Sequence, residues 1–78
     1  MVHPNPTEGK FQVSYSFQNN ETAKVVVMDM MGKVVREGNL QGGIGAEYFD
    51  LSNMAAGTYL VRISNNKESV TEKLIVTK

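Results

Sequence analysis

His3, Asp29, Asp50, three tyrosines and the glycine-rich stretch "GNLQGGIG" are the places where this chain could carry chemistry. His3 is the only histidine and there is no cysteine, so a conventional zinc site would lack its second imidazole or thiolate. A solvated residue near the terminus is the reading it supports. Asp29 and Asp50 each fall at the end of a strand-like run, where Asx side chains accept hydrogen bonds from nearby backbone N–H groups and stabilise turns. "GNLQGGIG" lacks the Lys-Ser/Thr of a phosphate loop and leads into no helix, so it reads as a loop. Tyr15 and Tyr59 lie on alternating apolar faces and are expected in the core, whereas Tyr48 is out of phase with Phe49 and is expected at the surface. Three of the five methionines fall within residues 28–31; packing is the simpler reading, and an adaptable contact surface the other. No constellation of acid, base and nucleophile converges. The expectation is a protein that is not an enzyme, with no cofactor and no metal.

The elements that would position these residues are strands. In "KFQVSYSF" the residues Phe11, Val13, Tyr15 and Phe17 alternate with polar ones, the pattern of a half-buried strand. "QNNET" is a turn. "AKVVVMD" is apolar on both faces, and its alternation does not say which face points inward. "MMGK" turns the chain, with Gly32 as the positive-φ position of a hairpin with a bulge, and "KVVREGNL" returns. "QGGIG" is a loop, "AEYFDL" a further strand, and "SNMAAG" a short helical or crossover turn ended by Gly57. "TYLVRIS" places Tyr59, Val61 and Ile63 on one face. "SVTEKLIVTK" runs to the last residue, with Val70, Leu74 and Val76 sharing a face that Glu72 interrupts. No stretch keeps an apolar stripe at helical spacing. About seven short strands separated by turn signals predict an all-β, immunoglobulin-like antiparallel sandwich. Its expected core is Phe11, Val13, Tyr15, Val27, Leu51, Tyr59, Val61, Ile63 and Leu74.

Seventy-eight residues make a single domain with a small core. Eight basic and eight acidic side chains cancel and are scattered, which argues against a nucleic-acid-binding face. No apolar run approaches the roughly 20 residues that span a bilayer. The start has no basic-then-apolar signal pattern, so the sequence reads as cytosolic or as a piece of a longer exported chain. "HPNPTEGKF" suggests the second. Pro4 and Pro6 hold the chain stiff and extended around Asn5, and residues 2–9 read as a linker-like lead-in arriving from a preceding domain, with Met1 an added start residue.

Four blocks, "PNPTEGKF", "VVMDMMGKVV", "DLSNMAAGTYLVRI" and "KLIVTK", occur in an order and spacing that resemble the type A C-terminal sorting domain of the type IX (Por) secretion system. The resemblance covers essentially the whole chain. It implies an immunoglobulin-like sandwich that ends proteins exported through the periplasm and across the outer membrane of Bacteroidota-type bacteria, to the cell surface or the medium. The implied partners are the secretion machinery at the outer membrane, an N-terminal cargo domain, and a sortase-like cysteine peptidase that removes the domain while the cargo is attached to an anionic lipopolysaccharide.

Carried over position by position, the structural motif comprises Pro4, Asn5, Pro6, Gly9, Asp29, Gly32, Gly57, Tyr59, Val61 and Ile63, and the recognition segment Lys73, Leu74, Ile75, Val76, Thr77 and Lys78. Met28 departs from the aromatic residue usual in the family. The final strand is expected to offer an accessible sheet edge and a free carboxylate. The alternative is an immunoglobulin-like spacer or carbohydrate-binding module of a secreted protein. That reading needs a cluster of exposed aromatics, for which Tyr48 is the one candidate.

Overall fold

A computed structural model describes residues 1–16, 22–40 and 44–78. Among the described residues there are seven strands: β1 (Val2–His3), β2 (Lys10–Ser16), β3 (Ala23–Asp29), β4 (Val34–Leu40), β5 (Ile44–Asp50), β6 (Gly57–Ser64) and β7 (Ser69–Val76). They form two antiparallel sheets, one in the order β1-β2-β5 and the other in the order β4-β3-β6-β7. The hairpins β3–β4 and β6–β7 stay within the larger sheet, while the connections after β2, β4 and β5 pass from one sheet to the other. That crossing pattern places β3 beside β6 although two strands separate them in sequence, the Greek-key arrangement of an immunoglobulin-like sandwich. Phe17, most of the "QNNET" turn (residues 18–21) and residues 41–43 of "QGGIG" lie outside the described residues. Ile44 and Gly45, read from the sequence as loop, already pair with β2 as the start of β5.

The inner faces follow from alternation. In β6, Tyr59, Val61 and Ile63 are buried while Thr58, Leu60 and Arg62 face out. Register then carries the pattern sideways: Val61 pairs with Val27, Ile63 with Val25 and Tyr59 with Leu74, and every one of these is buried. This settles the face of β3, where Ala23, Val25 and Val27 point inward and Lys24, Val26 and Met28 outward. From the smaller sheet come Val2, Phe11, Val13 and Phe49, with Leu51 just beyond β5. Phe11 and Phe49 are register partners whose rings stack at 5.5 Å between centroids, a contact that adds to their area burial. Of the expected core only Tyr15 falls short of full burial, packing against the cluster from its margin.

Two connections show how local sequence sets the turns. Between β3 and β4, the Asp29 carboxylate accepts hydrogen bonds from the N–H groups of Met31 and Lys33, both at 2.9 Å. The Gly32 N–H donates to the Asp29 carbonyl and the Asp29 N–H to that of Lys33. Gly32 has φ +88°, so a three-residue loop closes through a glycine in the left-handed region. After β5, residues 51–56 form a crossover turn without helix, held by the Met54 N–H on the Leu51 carbonyl. The Tyr59 hydroxyl donates to the Ala55 carbonyl at 2.6 Å and fastens this turn to β6, the tyrosine corner of immunoglobulin-like sandwiches.

Leu74 is wholly buried, and its replacement by alanine is expected to lower unfolding free energy by about 2–5 kcal/mol. Gly32 has open space around it, so Gly32→Val should cost about 1–2 kcal/mol through backbone strain alone. Urea titrations of both variants check these values. A Gly32→Val protein as stable as the parent would show that the turn does not depend on its left-handed glycine.

Candidate functional site

β7 is built by the same alternation as β6. Leu74 and Val76 are buried, and Lys73 and Ile75 point to the outer face of the larger sheet. Thr77 and Lys78 follow the strand and are exposed. One side of β7 pairs with β6 along its whole length, from Ser69 opposite Ser64 to Val76 opposite Gly57.

The other side of β7 is not an open edge over its last residues, and here the structure corrects the expectation of an accessible one. Residues 2–9 carry β1, paired with β2 through Val2–Val13 and His3–Gln12. The chain then leaves the smaller sheet across Pro4-Asn5-Pro6, with both X–Pro bonds cis, and reaches β7, where Thr7 forms a parallel bridge to Val76. Asn5 stands in for a strand residue with its side-chain amide. Its Nδ2 donates to the Lys73 carbonyl at 2.7 Å and its Oδ1 accepts from the Ile75 N–H at 3.0 Å. Backbone bonds continue the seam, from the Thr7 N–H to the Ile75 carbonyl (2.9 Å) and from the Thr77 N–H to the Thr7 carbonyl (2.7 Å). A primary amide carries the same donor and acceptor as a peptide unit, so asparagine can satisfy a strand edge that two flanking prolines cannot.

Thr7 is the residue of the strap that sequence reading missed. Among the described residues it is the buried polar one, and its hydroxyl donates to the Lys10 carbonyl (2.5 Å) and accepts from the Gly9 N–H (3.1 Å). A threonine two residues before a glycine is the signature of such a side-chain turn, and that signal was present in "PTEG". Gly9 has φ +146°, and a Cβ there would lie 2.7 Å from the Ser52 Cα. Only glycine lets the strap lie against the β5–β6 connection, where the Leu51 N–H donates to the Gly9 carbonyl. The Lys78 ammonium donates to the Ser52 carbonyl.

Register gathers most of the sequence-predicted positions at one end of the sandwich. The start of β6 at Gly57, the end of β7 at Val76, the end of β3 at Asp29 and its turn through Gly32, the strap Pro4–Pro6 and Gly9 share that end. Val61 and Ile63 lie further along, in the core. Asp50 is at the same end, fully exposed. Its carboxyl is held below the usual value by hydrogen bonds from the Ser52 side chain and N–H, with Lys10 and Arg36 assisting. Both aspartates therefore serve turns. Among the described residues no three of His, Cys, Asp or Glu converge to hold a metal ion, and no helix is long and apolar enough to cross a membrane. Tyr48 is 72% exposed, in register with Gln12 and, one strand further, His3. What the arrangement can do chemically is bind: a rigid strand, clamped on both sides, displays side chains.

The profile of one protein family, described as a secretion system C-terminal sorting domain, matches residues 1–77. No curated protein matches the chain.

Asn5→Ala removes both side-chain bonds to β7 and is expected to cost about 1–2 kcal/mol in a urea titration. Amide hydrogen exchange should accelerate at Ile75. Unchanged exchange there would mean that the strap does not close this edge in solution.

Proposed function

The chain belongs to the secretion system C-terminal sorting domains, and from that premise we propose that the outward side chains of Lys73, Ile75, Thr77 and Lys78 are what the machinery reads. The domain itself is a sorting signal of the type IX secretion system, which sends proteins across the outer membrane to the cell surface or the medium. Its partners are that machinery and an N-terminal cargo.

The observation that carries the residue-level proposal is the double clamp on β7. Because β6 and the Asn5–Thr7 strap both bond its backbone near residues 73–77, a receptor meets side chains there rather than a free edge. Leu74 and Val76 act as buried anchors that fix the phase of the display. Pro4, Asn5, Pro6, Gly9, Asp29, Gly32, Gly57 and Tyr59 act at one remove, by holding the turns and the strap that position the segment. Residues 1–78 act as one unit in this proposal. The domain is non-catalytic, and a sortase-like cysteine peptidase releases it while the cargo is joined to an anionic lipopolysaccharide on the surface.

Residues 2–78, fused behind a periplasm-directed fluorescent reporter in a host with a type IX system, should carry the reporter to the surface or medium. A folded fusion that stays in the periplasm would overturn the sorting role. Lys78 is exposed but its ammonium donates to the Ser52 carbonyl, so Lys78→Glu should cost about 1 kcal/mol while reducing export by more than that loss of stability accounts for. A short polar extension after Lys78 should do the same. Normal export of both proteins would move recognition away from the segment.

A further inference from the structure

The outer faces of the two sheets differ in a way that folding does not require. An antiparallel sandwich needs one apolar face per sheet, and the other normally meets water with polar side chains. The smaller sheet complies: outward positions Lys10, Gln12 and Ser14 on β2 pair with Asp50, Tyr48 and Ala46 on β5. The larger sheet does not. Val34, Met28 and Leu60 stand in one register row across β4, β3 and β6, and Lys73 closes that row on β7. Ile75 lies beside the row, opposite Thr58, and Val26 lies on its other flank. The adjoining turn adds Met30 and Met31, which are 63% and 94% exposed. Of the six large apolar side chains exposed among the described residues, Met30, Met31, Val34 and Ile75 fall on this one face or its rim. The apolar run on the outer side of β3 and the methionine cluster are thus left over once the core is built.

We infer that this face is a docking surface for a protein of the export machinery whose contact area is apolar at its centre and carboxylate-bearing at its rim. The inference rests on the sorting role. Charge identifies the occupant. Arg62 and Lys73 flank the apolar row and form no ion pair among the described residues, whereas Glu37 on the same face is engaged with Lys24 at 3.7 Å. A face with uncompensated cations around an apolar centre complements acidic groups around an apolar centre. A second copy of the same face would set Arg62 and Lys73 against their own kind, which disfavours self-association. A bilayer is disfavoured because, among the described residues, the face has no aromatic side chain and few cations, unlike a membrane-binding surface. Methionines suit the role, since their flexible thioethers adapt to a partner's contour.

The test uses the reporter fusion with substitutions outside residues 73–78. Met31→Ser combined with Val34→Thr removes exposed apolar groups, and Arg62→Glu reverses a rim charge. Tyr48→Ser on the opposite sheet is the control. All should melt within about 3 °C of the parent, because none alters a buried group. Export should fall about tenfold or more for the double variant and for Arg62→Glu, the scale of losing a well-packed contact, and stay unchanged for Tyr48→Ser. Parental export by both folded patch variants would overturn the inference while leaving the sorting role standing. Retention of the unmodified fusion would overturn both. Flotation of the purified domain with anionic vesicles, abolished by the same substitutions, would replace the protein partner with a lipid surface. Concentration-dependent dimerisation abolished by them would replace it with a second copy.

Discussion

Strand β6 is the constraint on which the rest of the domain depends. It is a central strand, bonded to β3 on one side and β7 on the other, and its Tyr59, Val61 and Ile63 lie at the middle of the apolar layer. Because side chains alternate strictly, fixing those three inward fixes the phase of both neighbours through register. Val25 and Val27 turn in with them, and so do Leu74 and Val76. Tyr59 adds a second function, since its hydroxyl ties the β5–β6 crossover to the strand that follows. A one-residue slip of β6 would expose this whole layer, which so small a core could not offset.

Edges are the second concern of a small open sheet, and the domain treats them unequally. A free edge invites pairing with any other chain. On β7 the stretch from Lys73 to Thr77 is closed by Asn5 and Thr7, through bonds that join residues 68 or 70 positions apart. On β4 the register shifts between Val27 and Met28, so the pairing is interrupted by a bulge near the hairpin. The strap also joins the two sheets, because β1 belongs to the smaller one and Thr7 bridges to the larger. Residues that look like a lead-in in the sequence are therefore part of the sandwich, bonded to both of its sheets.

Under the proposed recognition of the folded domain, the information sits in exposed groups on a frame that positions them. The chain divides these tasks by position. Glycines and aspartates at one end shape the turns, buried aliphatics set the frame, and what remains outward on β7 and on the larger sheet is available to a partner. No chemistry beyond binding is needed for that role. The exposed carboxylate of Asp50, held ionised by Ser52, is a turn device of the same kind as Asp29.

Much of this was legible from the amino-acid order alone, wherever the physical signal was local. The alternation in "TYLVRIS" determined the face of β6, and "DMMGK" contained both the carboxylate and the glycine that the β3–β4 turn uses. The exposure of Tyr48 followed from period two, whereas Phe49, absent from the expected core, proved buried against Phe11. The four motif blocks determined the family. Tertiary structure alone decided three matters. Val27 was expected in the core, but the pattern of β3 did not itself fix the inward face, because Val25, Val26, Val27 and Met28 are apolar on both sides and only pairing with Ile63 and Val61 breaks the tie. The start of β5 at Ile44 was hidden by the glycines of "QGGIG", since the strand pairing of Gly45 depends on β2 rather than on its own propensity. The strap was hidden most completely. Its bonds join Asn5 and Thr7 to residues near 75, and one of the pairing groups is a side-chain amide that no strand pattern contains. Local order determines the phase of a strand, but what lies against its edge depends on which distant segment the closed sandwich brings there.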